Sequence, residues 1–299
     1  MWAVALAVLV VVVLLLLWAR RQEPFSQVIP KNIWTYWDSD EVPDFVSKCI
    51  AKWKQLHPDW SVTVLNPKNL KDYLPETDIF KLKFADTAQR ASDFVRLHVL
   101  PKYGGIWADA SVVPTRSWDW VIEEQKKKGS DFIGYYRQGA TTKSEYPVIE
   151  SWFFACPKGS KFVSKLRDEM LTMNSLENEA DYKDHVKSRG VDIQNIPQPD
   201  YLNIYLSAQA VMQTQMTTDE IRNKIHVYPS EDGPFKHSVT NDWKPAESVK
   251  SLCDLDSTDM PEMIKIYGNE RKAMESDPAL KKCAQNILGN GASLQKVPR

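Results

Sequence analysis

Three kinds of apolar pattern alternate along this chain. The first is unbroken: from Trp2 to Ala19 the run WAVALAVLVVVVLLLLWA carries no charge or strongly polar group. As a helix it spans about 27 Å, close to a bilayer's hydrocarbon thickness. Trp2 and Trp18 stand at its ends, where amphipathic indoles favour the headgroup region. The second pattern is short and rich in aromatic and β-branched residues. VIPKNIWTYW from near Val28 to the break at Asp38, SVTVL at 61–65, IWAD after Gly104-Gly105, DFIGYY at 131–136 and SWFFAC at 151–156 read as strands. The third has helical spacing. Phe45, Val46, Cys49, Ile50, Trp53 and Leu56 share one face between Pro43 and His57-Pro58. Ala88, Ala91, Val95 and Val99 do the same from Asp86 to about Lys102, with Gly104-Gly105 as terminators. Residues 160–173 and 178–189 are further helices, and the part from Pro245 is polar and helical in pattern with no chemistry read in it.

The order strand, helix, strand predicts an α/β fold with a mostly parallel central sheet and crossover helices. The expected organisation is a transmembrane anchor over 1–21, a polar linker over 22–28, one α/β domain over 29–245 and a helical extension over 246–299. A cleaved signal peptide is the alternative for the N-terminus. It would have a shorter apolar region, a basic leader and a small-x-small site, and none of these precedes Arg20. The anchor makes the expected location a single-pass membrane protein. Arg20 and Arg21 follow the span, which by the positive-inside rule puts the domain in the cytosol; a Golgi-type lumenal orientation stays open.

Composition narrows the partners. With 38 basic and 39 acidic residues the net charge is −1, so no global field favours nucleic acid, and an anionic ligand must be held locally. Cys49, Cys156, Cys253 and Cys283 show no metal-ligand spacing, and free buried thiols are expected.

The chemistry concentrates in ASDFVRLHVLPKYGGIWADAS, Ala91 to Ser111. Asp93 and Arg96, three apart, are neighbours on one helix face, able to form a surface pair or to point together into a cleft. After the helix ends and the glycines turn, a short apolar strand delivers Asp109 to its carboxyl end. That is where open α/β sheets bind ligands, and a carboxylate there suits a metal or a sugar hydroxyl. The same position also suits an Asp that caps the next turn, with Ser111 helping.

Ala91, Ser92, Asp93, Arg96, Leu100, Gly104, Gly105, Ile106, Trp107, Asp109 and Ser111 together resemble the sugar-binding region of the capsular polysaccharide synthesis proteins. These are DXD-type glycosyltransferases related to yeast-type mannosyltransferases and clostridial glucosylating toxins. IPKNIWTYWD at 29–38 resembles the family's opening strand, and the resemblance covers roughly residues 28–160. It implies a GT-A-type nucleotide-sugar-binding sandwich that transfers a sugar from a nucleotide-diphosphate-sugar donor to a hydroxyl of a glycan acceptor, with retention of configuration. It also implies that Asp93 and Arg96 hold donor-sugar hydroxyls, and that Gly105, Trp107 and Asp109 line the donor site. Trp34 and Tyr36 would face the nucleotide base, although aromatics in a strand also serve as core.

One departure matters: Ser111 stands where a DXD motif has its second Asp. A hydroxyl is a poorer ligand than a carboxylate for Mg²⁺ or Mn²⁺, so a divalent metal held by Asp109 and Ser111 is in doubt. GPFKHSVTNDW at 233–243 is a candidate closing loop, in which His237 would add a metal ligand and Lys236 would act with Asp109 in catalysis by neutralising the leaving diphosphate. Ser238 and Trp243 would contact the donor. An ordinary polar loop is the alternative. Two rival functions remain: a GT-A-like protein that binds a glycan or nucleotide-sugar without catalysis, motivated by Ser111, and a hydrolase using Asp93 and Asp109 as paired carboxylates.

Overall fold

The computed structural model describes residues 27–253, 255 and 260–289. The expected anchor over residues 2–19 and its flanking Arg20 and Arg21 lie outside them. Among the described residues no helix is long and apolar enough to cross a membrane.

The core is a six-stranded sheet in the order β2-β1-β3-β6-β5-β7. Its strands are β1 (Asn32–Tyr36), β2 (Ser61–Leu65), β3 (Gly105–Ala108), β5 (Phe132–Tyr136), β6 (Ile149–Cys156) and β7 (Ile225–Pro229). β1 is parallel to β2 and β3, and β5 is parallel to β7. Only β6 runs against the rest, pairing antiparallel with both β3 and β5. The mostly parallel sheet expected from the strand, helix, strand order is therefore present, with one reversed strand at its centre.

Alternate side chains of these strands enter two separate apolar layers, as strands covered on both faces require. Trp34, Trp107, Phe132 and Phe154 pack on one side. There they meet helices α2 (Ala88–Tyr103), α4 (Lys161–Leu171) and α6 (Asn203–Gln215), while α1 (Asp44–Leu56) and α3 (Asp119–Lys128) lie on the opposite face. Ile33, Ile106, Ile133 and Phe153 pack on the other, against α1 and α3.

The segment read as a helical extension does more than pack as helices. It forms α9 (Pro245–Ser251), α10 (Gly268–Ser276) and α11 (Pro278–Gly289), which follow the short α5 (Asp181–Ser188), α7 (Thr218–Lys224) and α8 (Lys236–Thr240). It also contributes a strand, β8 (Met263–Lys265), antiparallel to β4 (Val112–Pro114), with Val112 opposite Lys265. Met263, Ile264 and Ile266 are buried, so the run MIKI joins the fold through apolar contact that its polar surroundings disguise. Cys253 and Cys283 form a disulfide, which corrects the expectation of four free thiols; Cys49 and Cys156 are free and buried.

Two glycines aim the site. α2 is capped at its start by Thr87, whose side chain accepts from the Arg90 amide, and at its end by Gly104, at φ 69°. Gly105 follows at φ 108°, where an added Cβ would lie 2.5 Å from the Asn32 carbonyl oxygen in β1. A side chain there must push β3 off β1 and adopt a left-handed backbone. Gly105→Ala is expected to lower stability by about 2 kcal/mol or more, read as a reduced midpoint in urea. An unchanged midpoint would refute the close-approach argument.

Candidate active site

β3 ends at Ala108, so Asp109 sits just past the carboxyl end of a central strand, anchored by its amide to the Trp152 carbonyl of β6 (2.9 Å). Its carboxylate is gripped from two directions. Oδ1 accepts from Arg96 (3.1 Å) and from Trp107 Nε1 (3.2 Å), and Oδ2 accepts from Lys265 Nζ (2.8 Å). Arg96 comes from α2 and also donates to Asp93 Oδ1 (3.0 Å). Its guanidinium carbon stands 4.9 Å from the centre of the Trp107 ring, so stacking fixes the plane in which it offers its donors.

The pairing continues away from the strand. Arg90, one helical turn before Asp93, donates to Asp93 Oδ2 (3.1 Å), to Glu179 and to the Tyr201 carbonyl (3.0 Å). Asn203 donates to the same Glu179 oxygen (2.9 Å). The result is a chain of alternating charge: Glu179, Arg90, Asp93, Arg96, Asp109, Lys265.

Only part of it meets solvent. The Arg96 side chain is 3% exposed, whereas Asp109 is 31% exposed. Arg96 therefore orients the two aspartates rather than offering itself to a ligand, and Asp109 is an accessible hydrogen-bond acceptor. Burial alone would raise the Asp109 pKa, but Lys265 and Arg96 outweigh it and hold the carboxyl below its ordinary value. Asp93 is different: burial dominates, and its pKa is raised despite Arg96 and Arg90.

Asp93, Arg96, Trp107, Asp109 and Ser111 are thus brought together. The other sequence candidates lie differently. Trp34 is buried between Tyr73 and Tyr103, with its Nε1 donating to the Gly104 carbonyl (2.9 Å), so it holds β1 to the end of α2. Tyr36 is buried, and burial, aided by Asp38, pushes its phenol up to about 12. Gly105 acts through backbone approach. His237 is buried with Nε2 3.2 Å from Glu270 Oε1, and Ser238 donates to that same oxygen (2.7 Å). Both therefore tie α8 to α10. Lys236 is exposed. Trp243 packs on Phe235 and under Arg137.

Sequence reasoning missed Lys265, Arg90 and Glu179. Arg90 carried a signal, since it lies three residues before Asp93 on the same helix face. So did Lys265, centred in the strand-like run MIKIY. A separate cavity of about 330 Å³, lined by Trp120, Tyr135, Tyr228, Asp232 and Glu262 among others, contains no member of the charged chain.

Because the buried guanidinium of Arg96 serves two carboxylates that are themselves only partly exposed, Arg96→Ala is expected to cost about 3–5 kcal/mol of folding stability as well as function. Chemical denaturation measures this, and a loss below about 1 kcal/mol would mean that the pair behaves as a surface contact.

A family described as capsular polysaccharide synthesis protein matches residues 17–182. Among curated relatives, glycosyltransferase afumC of Aspergillus fumigatus is 29% identical over 114 residues, covering 33% of this chain and 29% of the relative. O-glycosyltransferase braB of Annulohypoxylon truncatum is 26% identical over 165 residues, covering 50% of this chain and 38% of the relative. The chain spans about a third of the length of the curated relatives it matches. Solved structures similar to it include the PaToxG glycosyltransferase, with a TM-score of 0.39 and 15% identity over 88% of both chains. They also include galactosyltransferase LgtC in complex with donor and acceptor sugar analogues, with a TM-score of 0.42 and 10% identity over 90% of this chain and 98% of that one. The family match takes in more than half of the chain and the whole run from Asp93 to Ser111, and the chain belongs to the capsular polysaccharide synthesis protein family.

Proposed function

We propose that this chain is a GT-A-type glycosyltransferase that moves a sugar from a nucleotide-diphosphate-sugar donor to a hydroxyl of a glycan acceptor. One observation carries the reading: a partly exposed carboxylate, Asp109, stands just past the carboxyl end of a central strand beside Asp93, with cations fixed behind and beside it. Carboxylates of this kind accept hydrogen bonds from sugar hydroxyls, and a fixed cation stabilises charge developing on a departing diphosphate without reorganising. The names of curated relatives support the activity. Retention of configuration is the stereochemical outcome expected of the family, and the anomeric signal of the product checks it. The second reading, a protein that binds the donor without turnover, is favoured by one observation: Ser111 gives the site a hydroxyl in place of a second carboxylate.

A panel of UDP-, GDP- and ADP-sugars separates these readings. At least one donor is expected to raise the melting temperature and to be hydrolysed or transferred, and Asp109→Asn is expected to cut turnover by about a hundredfold or more. Binding without turnover would establish the second reading. No stabilisation by any donor would overturn both.

The Cys253–Cys283 disulfide bears on location, because such bonds persist in oxidising compartments. It favours a lumenal over a cytosolic domain, with residues 2–19 as the proposed membrane anchor. In intact microsomes the domain is then expected to resist added protease until detergent is present, and to stay with the membrane after carbonate extraction. Digestion without detergent would restore the cytosolic orientation.

A further inference from the structure

A divalent cation at an acidic strand-end motif needs anionic oxygens whose lone pairs face it without competing donors. The Asp109–Ser111 motif has one carboxylate, and three donors already occupy all but one of its roughly four lone-pair positions. Asp109 Oδ1 is taken by Arg96 and Trp107, and Oδ2 by Lys265. Ser111 Oγ donates to the Ile266 carbonyl (2.6 Å) and accepts from Lys265 Nζ (3.1 Å). His237, the histidine expected to complete a metal site, is paired with Glu270. Among the described residues no group of three or more His, Cys, Asp and Glu side chains is placed to hold a metal ion. The residues present do not fit Mg²⁺ or Mn²⁺.

We propose that Lys265 is the resident cation of this site. Its ammonium donates to both Asp109 and Ser111, and it is the group that meets the donor's diphosphate, so binding needs no divalent ion. This rests on the nucleotide-sugar reading above.

Three features carry the assignment. The first is position: β8 pairs Lys265 with Val112, next to Ser111, and the Lys265 amide donates to the Pro234 carbonyl (3.0 Å), so the backbone that presents the ammonium is fixed on both sides. The second is remaining capacity. An ammonium has three donors; Asp109 and Ser111 occupy two, and the side chain is 10% exposed, which leaves one N–H for an incoming oxygen. The third is charge. Asp93, Asp109 and Glu179 are matched by Arg90, Arg96 and Lys265 in an unbroken alternation. A divalent ion would enter a cluster already neutral and directly beside an ammonium, whereas a diphosphate would bring the negative charge that Lys265 can share.

The test uses the full chain. Mn²⁺ binding is followed by electron paramagnetic resonance without nucleotide, and UDP, GDP and ADP affinities are measured by calorimetry in EDTA and in Mn²⁺. The wild type is expected to hold no Mn²⁺ at this site, and its best diphosphate is expected to bind within about twofold in the two conditions. Lys265→Met should weaken that affinity about tenfold or more in both, with Lys265→Arg retaining part of it. The pair Lys265→Ala and Ser111→Asp, which removes the ammonium and supplies the second carboxylate, should gain a Mn²⁺ signal, a result that does not depend on how well Lys265→Met folds. A wild-type Mn²⁺ site lost in Asp109→Asn, an affinity that collapses in EDTA, or one unchanged in folded Lys265→Met would each overturn the proposal. If no diphosphate binds under either condition, the nucleotide-sugar reading fails, and the Mn²⁺ measurements still decide whether Lys265 excludes the metal.

Discussion

Everything at the site depends on how one carboxylate at a strand end is neutralised. Asp109 lies where apolar β3 meets solvent, and a carboxylate in that position is stable only if cations reach it. They come from distant parts of the chain: Arg96 from the helix that precedes β3, and Lys265 from a strand more than 150 residues later. The contact that neutralises Asp109 therefore also docks the C-terminal segment onto the domain.

That arrangement explains why the charged chain extends so far. Arg96 is buried and must satisfy two carboxylates; Asp93 in turn needs Arg90, and Arg90 needs Glu179. A buried ion pair is weak evidence of net stability, because desolvation offsets much of the attraction, but removing one member strands its neighbours. The alternation therefore acts chiefly on geometry. It leaves Asp109 and Asp93 with defined orientations and presents the more exposed Asp109 as the first acceptor a ligand meets.

The supporting frame is stiff for a separate reason. β1, β3 and β6 are buried on both faces, and Trp34 ties β1 to the turn at Gly104 through a hydrogen bond as well as ring contacts. A residue expected to face a nucleotide base thus serves the frame. His237 and Ser238 likewise hold α8 to α10 through Glu270, so this loop supports β8, whose last residue is Lys265.

What the sequence determined by itself follows from local physics. Short aromatic and β-branched runs and helical spacing marked β2 and most of the strands and helices around the site, and the glycine pair marked the turn that delivers Asp109, because each depends on neighbours within one or two turns of chain. The neighbouring Asp93 and Arg96 on one helix face were legible for the same reason, whereas their reading as a sugar site with Asp109 came from the resemblance. Only the tertiary structure decided what surrounds them. The reversed β6 at the centre of the sheet, the Cys253–Cys283 pairing and the role of Trp34 depend on which distant segments meet. So does the cation at Ser111: a hydroxyl in place of a carboxylate showed that the ordinary metal site was incomplete, but an isolated lysine in MIKIY does not state its partner. Pairing β8 with β4 brings Lys265 to Asp109, and electrostatic complementarity between residues so far apart becomes visible only once the chain has folded.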